Sequence, residues 1–386
     1  MASSSSRNLA IFAIALAVRL IAIEGTGAHR IAFGDAGDYI ASAQSLCVEH
    51  RYPDRGNLPF FRAPGLPFFI SGITACHPAS VRLIKYGLAI CDALTCVLIA
   101  TIAGRAAWIA GLIAALDPIF IAQVCDVRSE PLFMLLLTLA IFLLLRRSIA
   151  PAGVAVALAA LTRPTALLCI PLFALFRPRR AHVLLIASIL TLAPWTIRNA
   201  IRYHRLIVVN DAGPFNLWRG THPDVIALTN ERDRAKYGEE ARTFEVRTVA
   251  ATHGDWTRLA LDNIRAHSRE EAIFALEKAW LYWRPWLNPM EYALPIVFAS
   301  AAWIVPLFVF GFAGIVRAKQ WPVLVYFGVM WIAHVPFQVV MRFRVPFTDP
   351  LLIAFAAVEL RDLVVQLRAN RRLRLVRTAG DVRREN

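Results

Sequence analysis

Ten apolar runs, separated by short polar segments and by two long ones, constrain the fold of this chain more than any other feature. The runs cover residues 8–23, 81–103, 106–123, 130–146, 149–162, 165–176, 181–197, 293–316, 321–341 and 345–360. A helix needs about 20 apolar residues to cross a bilayer, and backbone in lipid must satisfy its own hydrogen bonds. We therefore predict an all-α polytopic membrane protein of about ten transmembrane helices, with residues 1–386 forming one integral membrane domain.

Composition excludes the main soluble alternatives. Hydrophobic residues make up 58% of the chain and charged residues 18%, whereas soluble domains have about 45–50% and about 25%. A soluble globular enzyme and a disordered chain are both excluded by these values. The first run carries Arg19 and lacks a small-residue cleavage site, so we predict a retained helix and not a signal peptide.

The number of spans depends on residues 149–176, which could form one long helix or two short ones around Arg163-Pro164. A single helix would leave Arg163 in the middle of the bilayer, where a charged side chain is costly. Two helices instead put Arg163 at a helix end and both chain termini on the same side. We favour two helices.

The net charge of +15 follows the predicted topology. The short segments on one side hold nine basic residues and no acidic one: Arg7, Arg105, Arg146, Arg147, Arg177, Arg179, Arg180, Arg317 and Lys319. Because basic short loops stay in the cytoplasm, we predict cytoplasmic termini and two large extracytoplasmic loops, 24–80 and 198–292. These bases and the basic cytoplasmic tail 361–386 account for +14 of the +15, so the charge does not indicate nucleic-acid binding.

Further basic residues lie near the outer ends of the predicted helices. They are Arg62, Arg82, Lys85, Arg163, Arg198, Arg342 and Arg344. Any one of them could be a solvated or snorkelling side chain. As a set drawn from separate segments they favour an anion site. A lipid phosphate suits that site because arginine binds phosphate through paired, charge-assisted hydrogen bonds.

Acidic residues lie on the same side: Asp35, Asp38, Asp126 and Glu130. Carboxylates beside cations can act as a general base or bind a metal, although ordinary loop solubility would also explain them. Asp92 and Asp117 lie in apolar runs, where either a function or a helix-packing hydrogen bond would account for them. Cys47 and Cys76 could form a disulfide if both are extracytoplasmic.

Several short motifs occur on this predicted outer side. They are FGDAGDY at 33–39, RAPGLP at 62–67, SEPLF at 129–133, PWTIRN at 194–199 and RFRVP at 342–346. In this order they resemble the D-x-x-x-Y, R-x-P-G-x-P, S/T-E-x-L-F, P-W-x-x-R-N and R-[YF]-R-x-P patterns of bacterial membrane glycosyltransferases with the GT-C fold. That group includes the relatives of protein O-mannosyltransferases and of the lipid A aminoarabinose transferase.

The resemblance implies an enzyme of the bacterial inner membrane whose active site faces the periplasm. It would move a sugar from a polyprenyl-phosphate donor to an extracytoplasmic acceptor, which could be a glycolipid, a polysaccharide or a protein hydroxyl. Asp35 would be the catalytic base, with Asp38 able to substitute for it or orient it. Arginine and lysine side chains would hold the lipid phosphate: Lys85, Arg163, Arg198, Arg342 and Arg344. Tyr39, Arg62 and Glu130 would lie around the substrate, with packing of the loop onto the bundle as the other role of Tyr39. Apart from the resemblance, Asn216 and Arg219 are residue types that bind sugars, although a lid or scaffold loop would also explain them.

The residues leave open whether a metal takes part and whether the protein is an enzyme or a transporter. No cofactor is required by this chemistry, because a single phosphate leaves, but a divalent cation between Asp35 and Glu130 is left open. The alternative function is a polytopic transporter or lipid flippase, which would predict inverted repeats and a mid-bilayer site between broken helices. The sequence has no such halves, and its polar residues gather at one face.

Overall fold

A computed structural model describes residues 4–31, 35–53, 61–77, 80–221, 243, 247–249, 255–287, 289, 293–337 and 339–382. Within these residues the fold is all helical and contains no strand. The helices are α1 (Ser4–Thr26), α2 (Asp35–Val48), α3 (Gly65–Ile73), α4 (Val81–Ala103), α5 (Ala107–Leu116), α6 (Pro118–Val124), α7 (Glu130–Leu145), α8 (Ile149–Thr162), α9 (Cys169–Leu175), α10 (Ala181–Tyr203), α11 (Ala212–Thr221), α12 (Trp256–Ala266), α13 (Ser268–Trp283), α14 (Leu294–Arg317), α15 (Trp321–His334) and α16 (Met341–Val382).

All ten predicted apolar runs are helical, which confirms the all-α fold class. Four apolar stretches are long enough to cross a membrane: Ser4–Thr26, Val81–Leu116, Pro178–Tyr203 and Leu294–Arg317. The shorter apolar helices are Glu130–Leu145, Ile149–Thr162, Pro164–Leu175 and Trp321–His334. The chain is therefore a multi-pass membrane protein that combines long and short apolar helices.

Proline decides where two of the runs break. Helix α8 ends at Thr162, Arg163 is extended, and a 3-10 turn over Pro164–Leu168 leads into α9. A proline disfavours helical backbone at the residue before it and has no N–H to donate. The prediction of two helices in 149–176 is confirmed.

The run 106–123, predicted as one span, is divided in the same way. Asp117 ends α5, and its carboxylate accepts hydrogen bonds from the backbone N–H groups of Ile119 and Phe120 at 2.9 and 3.0 Å. The indole of Trp303 donates to the other carboxylate oxygen at 2.9 Å. Asp117 therefore caps α6 and links it to α14. Of the two roles considered for this carboxylate in an apolar run, it has the helix-packing role.

Helix α16 is longer than the apolar run that predicted it. The run ends at residue 360, whereas the helix continues to Val382. Residues 361–379 contain no glycine or proline and are rich in arginine, leucine and alanine, which are good helix formers. Residues 363–370 of this continuation are exposed, and apolar patterning detects the buried part of a helix but not such an exposed part.

Close helix contacts are made at small residues, as is usual between helices in membranes. Helix α14 presents Gly311 and Gly314 to the backbone of α16. A Cβ on Gly311 would lie 3.0 Å from the carbonyl oxygen of Leu352, and one on Gly314 would lie 2.7 Å from that of Phe355. Larger side chains at these positions would separate the two helices.

A buried ion pair fixes the first helix. The fully buried guanidinium of Arg19 pairs with Asp92 of α4 and donates to the carbonyl oxygens of Ala114, at 3.0 Å, and Ala15, at 3.2 Å. Removing either partner would leave an uncompensated charge in the bundle. Asp92 is thus used in packing α1 against α4 and α5.

The two ends of the bundle are distinguished by their contacts. At one end, Arg317 pairs with Glu359 at 2.8 Å and Arg105 with Asp362 at 3.7 Å. The starts of α2, α4, α7 and α16 meet the ends of α1, α8 and α10 at the opposite end. There a disulfide joins Cys47, in the last turn of α2, to Cys76, which follows α3. This is the pairing that the sequence analysis considered.

Candidate active site

Acidic and basic side chains from five segments meet where α2, α7 and α16 begin. We name this group the acid–arginine cluster. Its members are Asp35, Asp38, Tyr39, Arg62, Glu130, Arg163 and Arg342. All seven are among the residues singled out in the sequence, and the fold brings them together.

The first half of the cluster is a pair of carboxylates held by one guanidinium. Asp35 and Asp38 lie in the first turn of α2, where the helix dipole stabilises negative charge. Arg62 Nη2 contacts Asp35 Oδ1 at 2.8 Å and Asp38 Oδ2 at 2.6 Å, and Arg62 Nε donates to Asp38 Oδ2 at 3.1 Å. The carboxylates are 39% and 43% exposed, whereas Arg62 is 17% exposed. Two carboxylates thus face outward from one half-buried guanidinium group.

Tyr39 lies between the two halves. The Arg62 guanidinium carbon is 5.6 Å from the centre of its ring. Burial raises the pKa of the Tyr39 hydroxyl, and Arg62 and Arg163 oppose that rise while Asp35 and Glu130 add to it. Tyr39 is therefore a neutral hydroxyl at physiological pH and can donate a hydrogen bond.

The second half is a buried carboxylate shared by two guanidinium groups. Glu130 is 3% exposed, and its Oε1 lies 3.0 Å from Arg163 Nη1 and 3.7 Å from Arg342 Nε. Arg163 Nη1 also donates to Ser129 Oγ at 3.3 Å. Both guanidinium groups lie over the ring of Phe343, at 4.9 and 5.3 Å from its centre. One negative charge against two positive charges leaves this half able to attract an anion.

The halves are held together by close packing at Gly65. An ideal Cβ on Gly65 would lie 2.8 Å from Thr162 Cα and 2.9 Å from Thr162 N. Gly65 follows Arg62 by three residues, and Thr162 directly precedes Arg163. The absence of a side chain at Gly65 therefore lets the segment with Arg62 approach the end of α8 with Arg163.

We expect Gly65→Ala to lower the free energy of unfolding by about 1–3 kcal/mol, because the added methyl must displace backbone and not a flexible side chain. Thermal unfolding of the purified protein in detergent measures the loss. Gly72→Ala is the matched control, since it lies in the same helix and a Cβ there meets nothing within 4 Å. Equal unfolding midpoints for the two variants would contradict the close-packing role.

Arg198 does not contact the cluster directly, but it stabilises the segment that carries Arg62. Its guanidinium carbon lies 4.9, 5.6 and 5.7 Å from the ring centres of Trp195, Tyr203 and Tyr52, and its Nη2 donates to the Tyr52 carbonyl at 3.2 Å. The Tyr52 hydroxyl in turn donates to the carbonyl of Arg62 at 2.9 Å. Arg198 therefore lies in an aromatic cage that orders the segment carrying Arg62. No motif in the sequence indicated this role of Tyr52.

Arg344 is fully buried. It faces Asp349 five residues later in α16, with Nη1 2.9 Å from Oδ1 and Nη2 3.2 Å from Oδ2. The guanidinium carbon lies 4.6 Å from the ring centre of Phe308 in α14. Although only one residue separates Arg344 from Arg342, the two side chains have different surroundings.

Lys85 is also buried, in the first turns of α4. Its ammonium donates to the carbonyl oxygens of Gly27, at 3.1 Å, and Arg30, at 2.7 Å. It thereby fixes the segment that follows α1. That segment leads towards Asp35 through residues 32–34, which lie outside the described part of the chain.

Asn216 and Arg219 lie half-buried on α11. Asp211, just before this helix, accepts a hydrogen bond from the backbone N–H of Phe61 at 3.3 Å. The start of α11 is thus next to the segment of Arg62. The chain after α11, residues 222–242, lies outside the described residues.

Within the described ranges, no group of three or more histidine, cysteine, aspartate or glutamate side chains is arranged to hold a metal ion. The divalent cation considered between Asp35 and Glu130 stays an untested expectation.

Comparison with known proteins gives limited information. No family model matches the chain. No curated protein matches it. Two solved structures are similar: ArnT from Cupriavidus metallidurans bound to undecaprenyl phosphate, and the same protein in the apo state. Each is 15% identical, with 93% of this chain and 78% of that chain covered, at TM-scores of 0.43 and 0.40. Similarity at this level does not assign a function to the chain.

Proposed function

We propose that this protein is an inverting glycosyltransferase. It moves a sugar from a polyprenyl-phosphate donor to a hydroxyl of an extracytoplasmic acceptor. The observation that carries the proposal is the acid–arginine cluster, which puts exposed carboxylates beside paired guanidinium groups at one end of a bundle of lipid-embedded helices. The motif resemblance to GT-C glycosyltransferases, which includes the residues of this cluster, supports the same chemistry.

Asp35 is the proposed general base. A base must accept a proton from a hydroxyl within hydrogen-bond reach. Asp38 receives two contacts from Arg62, whereas Asp35 receives one. Asp38 is thus the stronger anchor for the guanidinium, and Asp35 keeps more of its acceptor capacity for a substrate. Arg62 orients both carboxylates.

Arg163 and Arg342 are the proposed ligands of the donor phosphate. Their side chains are 21% and 27% exposed, and Glu130 holds both guanidinium groups in position. A preorganised donor aimed at the charge that develops on a leaving group is worth about 3–4 kcal/mol in barrier height. Lys85, Arg198 and Arg344 are less suited to this role, because backbone carbonyls, an aromatic cage and Asp349 already engage them.

The proposed reaction is a single displacement. The acceptor oxygen forms a bond to the anomeric carbon as the bond from that carbon to the phosphate oxygen breaks. The acceptor proton passes to Asp35, and the phosphate leaves with its charge stabilised by Arg163 and Arg342. Attack from the face opposite the phosphate inverts the anomeric configuration. The neutral hydroxyl of Tyr39, between the two halves, is suited to orient the sugar.

The proposal places the cluster on the periplasmic side of a bacterial inner membrane, with both termini in the cytoplasm. Its support is the positive-inside rule. The exposed bases Arg105, Arg146, Arg147 and Arg317 lie at the end of the bundle opposite the cluster.

Transfer of radiolabelled sugar tests the proposal. Membranes from a strain lacking the protein, and the same membranes with it restored, are supplied with candidate polyprenyl-phosphate sugars. We expect label in an extracytoplasmic acceptor only when the protein is present. Movement of the intact donor across the bilayer without transfer would contradict the proposal and favour the flippase alternative.

A further inference from the structure

A second cationic recess lies beside the acid–arginine cluster. It has a volume of about 250 Å³ and is lined by Thr26, Arg30, Lys85, Ala122, Cys125, Asp126 and Arg128. We call it the Lys85 cavity. None of the seven cluster residues belongs to its described lining, so it is a separate space.

Charge makes the Lys85 cavity suitable for an anion. Arg30, Lys85 and Arg128 contribute three positive charges and Asp126 one negative charge. The Asp126 carboxylate accepts a hydrogen bond from the neighbouring N–H of Val127 at 2.8 Å. The lining itself thus carries three basic groups and one acidic group, and this excess of positive charge suits a phosphomonoester, which carries a charge of about −1.5 to −2 at neutral pH.

Lys85 supplies the most specific observation. It is only 1% exposed. Its ammonium has three N–H donors, and two of them are used by the carbonyls of Gly27 and Arg30. The third has no acceptor among the described residues. A buried ammonium with an unused donor costs free energy unless a ligand or water accepts from it.

Position identifies the kind of anion. Thr26 is the last residue of α1, Lys85 lies in the first turns of α4, and Cys125 directly follows α6. The recess is therefore at the ends of membrane helices, at the level of lipid headgroups. A cationic recess at this depth can bind the phosphate of a headgroup, because lysine and arginine form charge-assisted hydrogen bonds with phosphate oxygens. The volume is below the roughly 300 Å³ of the smallest drug-sized pockets, so it suits a headgroup and not a whole substrate.

We infer that the Lys85 cavity binds a phosphomonoester anion, separately from the donor phosphate of the proposed reaction. Lys85 and Arg30 donate to the phosphate oxygens, and Arg128 adds charge from the side that faces Glu130. Because Lys85 also holds the carbonyls of Gly27 and Arg30, a bound phosphate orders the segment that precedes Asp35. A phosphorylated lipid headgroup and a free phosphate share this chemistry.

Titration calorimetry of the full chain in detergent tests the site without requiring sugar transfer. The probes are dihexanoyl phosphatidic acid, dihexanoyl phosphatidylcholine and inorganic phosphate. We expect Arg30→Gln to weaken binding of the phosphatidic acid about tenfold or more, as loss of one charge-assisted hydrogen bond implies. The control Arg51→Gln removes an exposed arginine elsewhere on the same side, paired only with Glu49, and should change affinity less than about twofold.

The cluster could itself bind this probe, so the titration is repeated in an Arg163→Gln background. Binding that depends on Arg30 should persist there. The inference is overturned if Arg30→Gln has no effect, if Arg51→Gln has the same effect, if the Arg30 effect disappears with Arg163→Gln, or if phosphatidylcholine binds equally well. Inorganic phosphate that binds as tightly as phosphatidic acid would support a free phosphate as the ligand, and markedly weaker binding would support a lipid headgroup.

Discussion

Asp35→Asn should abolish sugar transfer and leave the protein folded. An amide cannot accept the acceptor's proton, and loss of a general base typically lowers the rate by about a hundred- to ten-thousand-fold. The fold should survive because Asp35 is 39% exposed and its partner Arg62 keeps both contacts to Asp38. The measurement is the initial rate of radiolabelled transfer at saturating donor, together with the thermal midpoint of the purified variant.

Asp38→Asn is the matched control, since it makes the same chemical change one helical turn away. It removes the stronger anchor of Arg62, so we expect a smaller loss of rate and a lower thermal midpoint than for Asp35→Asn. Turnover like that of the wild type in Asp35→Asn would rule out Asp35 as the base. Abolished turnover in Asp38→Asn alone would transfer the role to Asp38.

The helices could be predicted from the sequence because an apolar run of membrane length must satisfy its backbone hydrogen bonds internally, and a helix does so. The split at Arg163-Pro164 was also predictable, because a mid-bilayer charge and a proline gave the same answer. The break at Asp117-Pro118 was missed, although aspartate followed by proline is a local signal of a helix start. The hydrogen bond from Trp303 to the Asp117 carboxylate, which comes from far along the chain, leaves no local pattern.

The candidate site was predictable in composition but not in arrangement. Sequence position placed a set of acids and bases at one end of the bundle, and six of them meet with Tyr39 in the acid–arginine cluster. The sequence could not show the direction in which each of these side chains points. Arg342 and Arg344 are two residues apart in one helix, yet Arg342 faces Glu130 while Arg344 is enclosed with Asp349. Cavities such as the one at Lys85 depend on segments far apart in sequence and leave no motif.

Arg344→Met should lower the free energy of unfolding by about 3–5 kcal/mol, because it leaves the Asp349 carboxylate buried without its counter-ion. Both side chains are essentially inaccessible, at 0% and 1% exposure, and two contacts join them. Methionine keeps much of the volume against Phe308, so the loss would come from charge and not from a cavity. Equilibrium unfolding in detergent measures the difference.

The double variant Arg344→Met/Asp349→Leu separates packing from catalysis. Replacing a buried ion pair by apolar residues of similar volume is often neutral or stabilising, so stability should return to within about 1 kcal/mol of the wild type. If the Arg344–Asp349 pair serves only to stabilise α16 and its contact with Phe308 of α14, the restored protein should also transfer sugar at a rate near that of the wild type. A stable double variant that has lost donor binding would instead make Arg344 a phosphate ligand, and the proposed phosphate site would have to extend beyond Arg163 and Arg342 into the bundle.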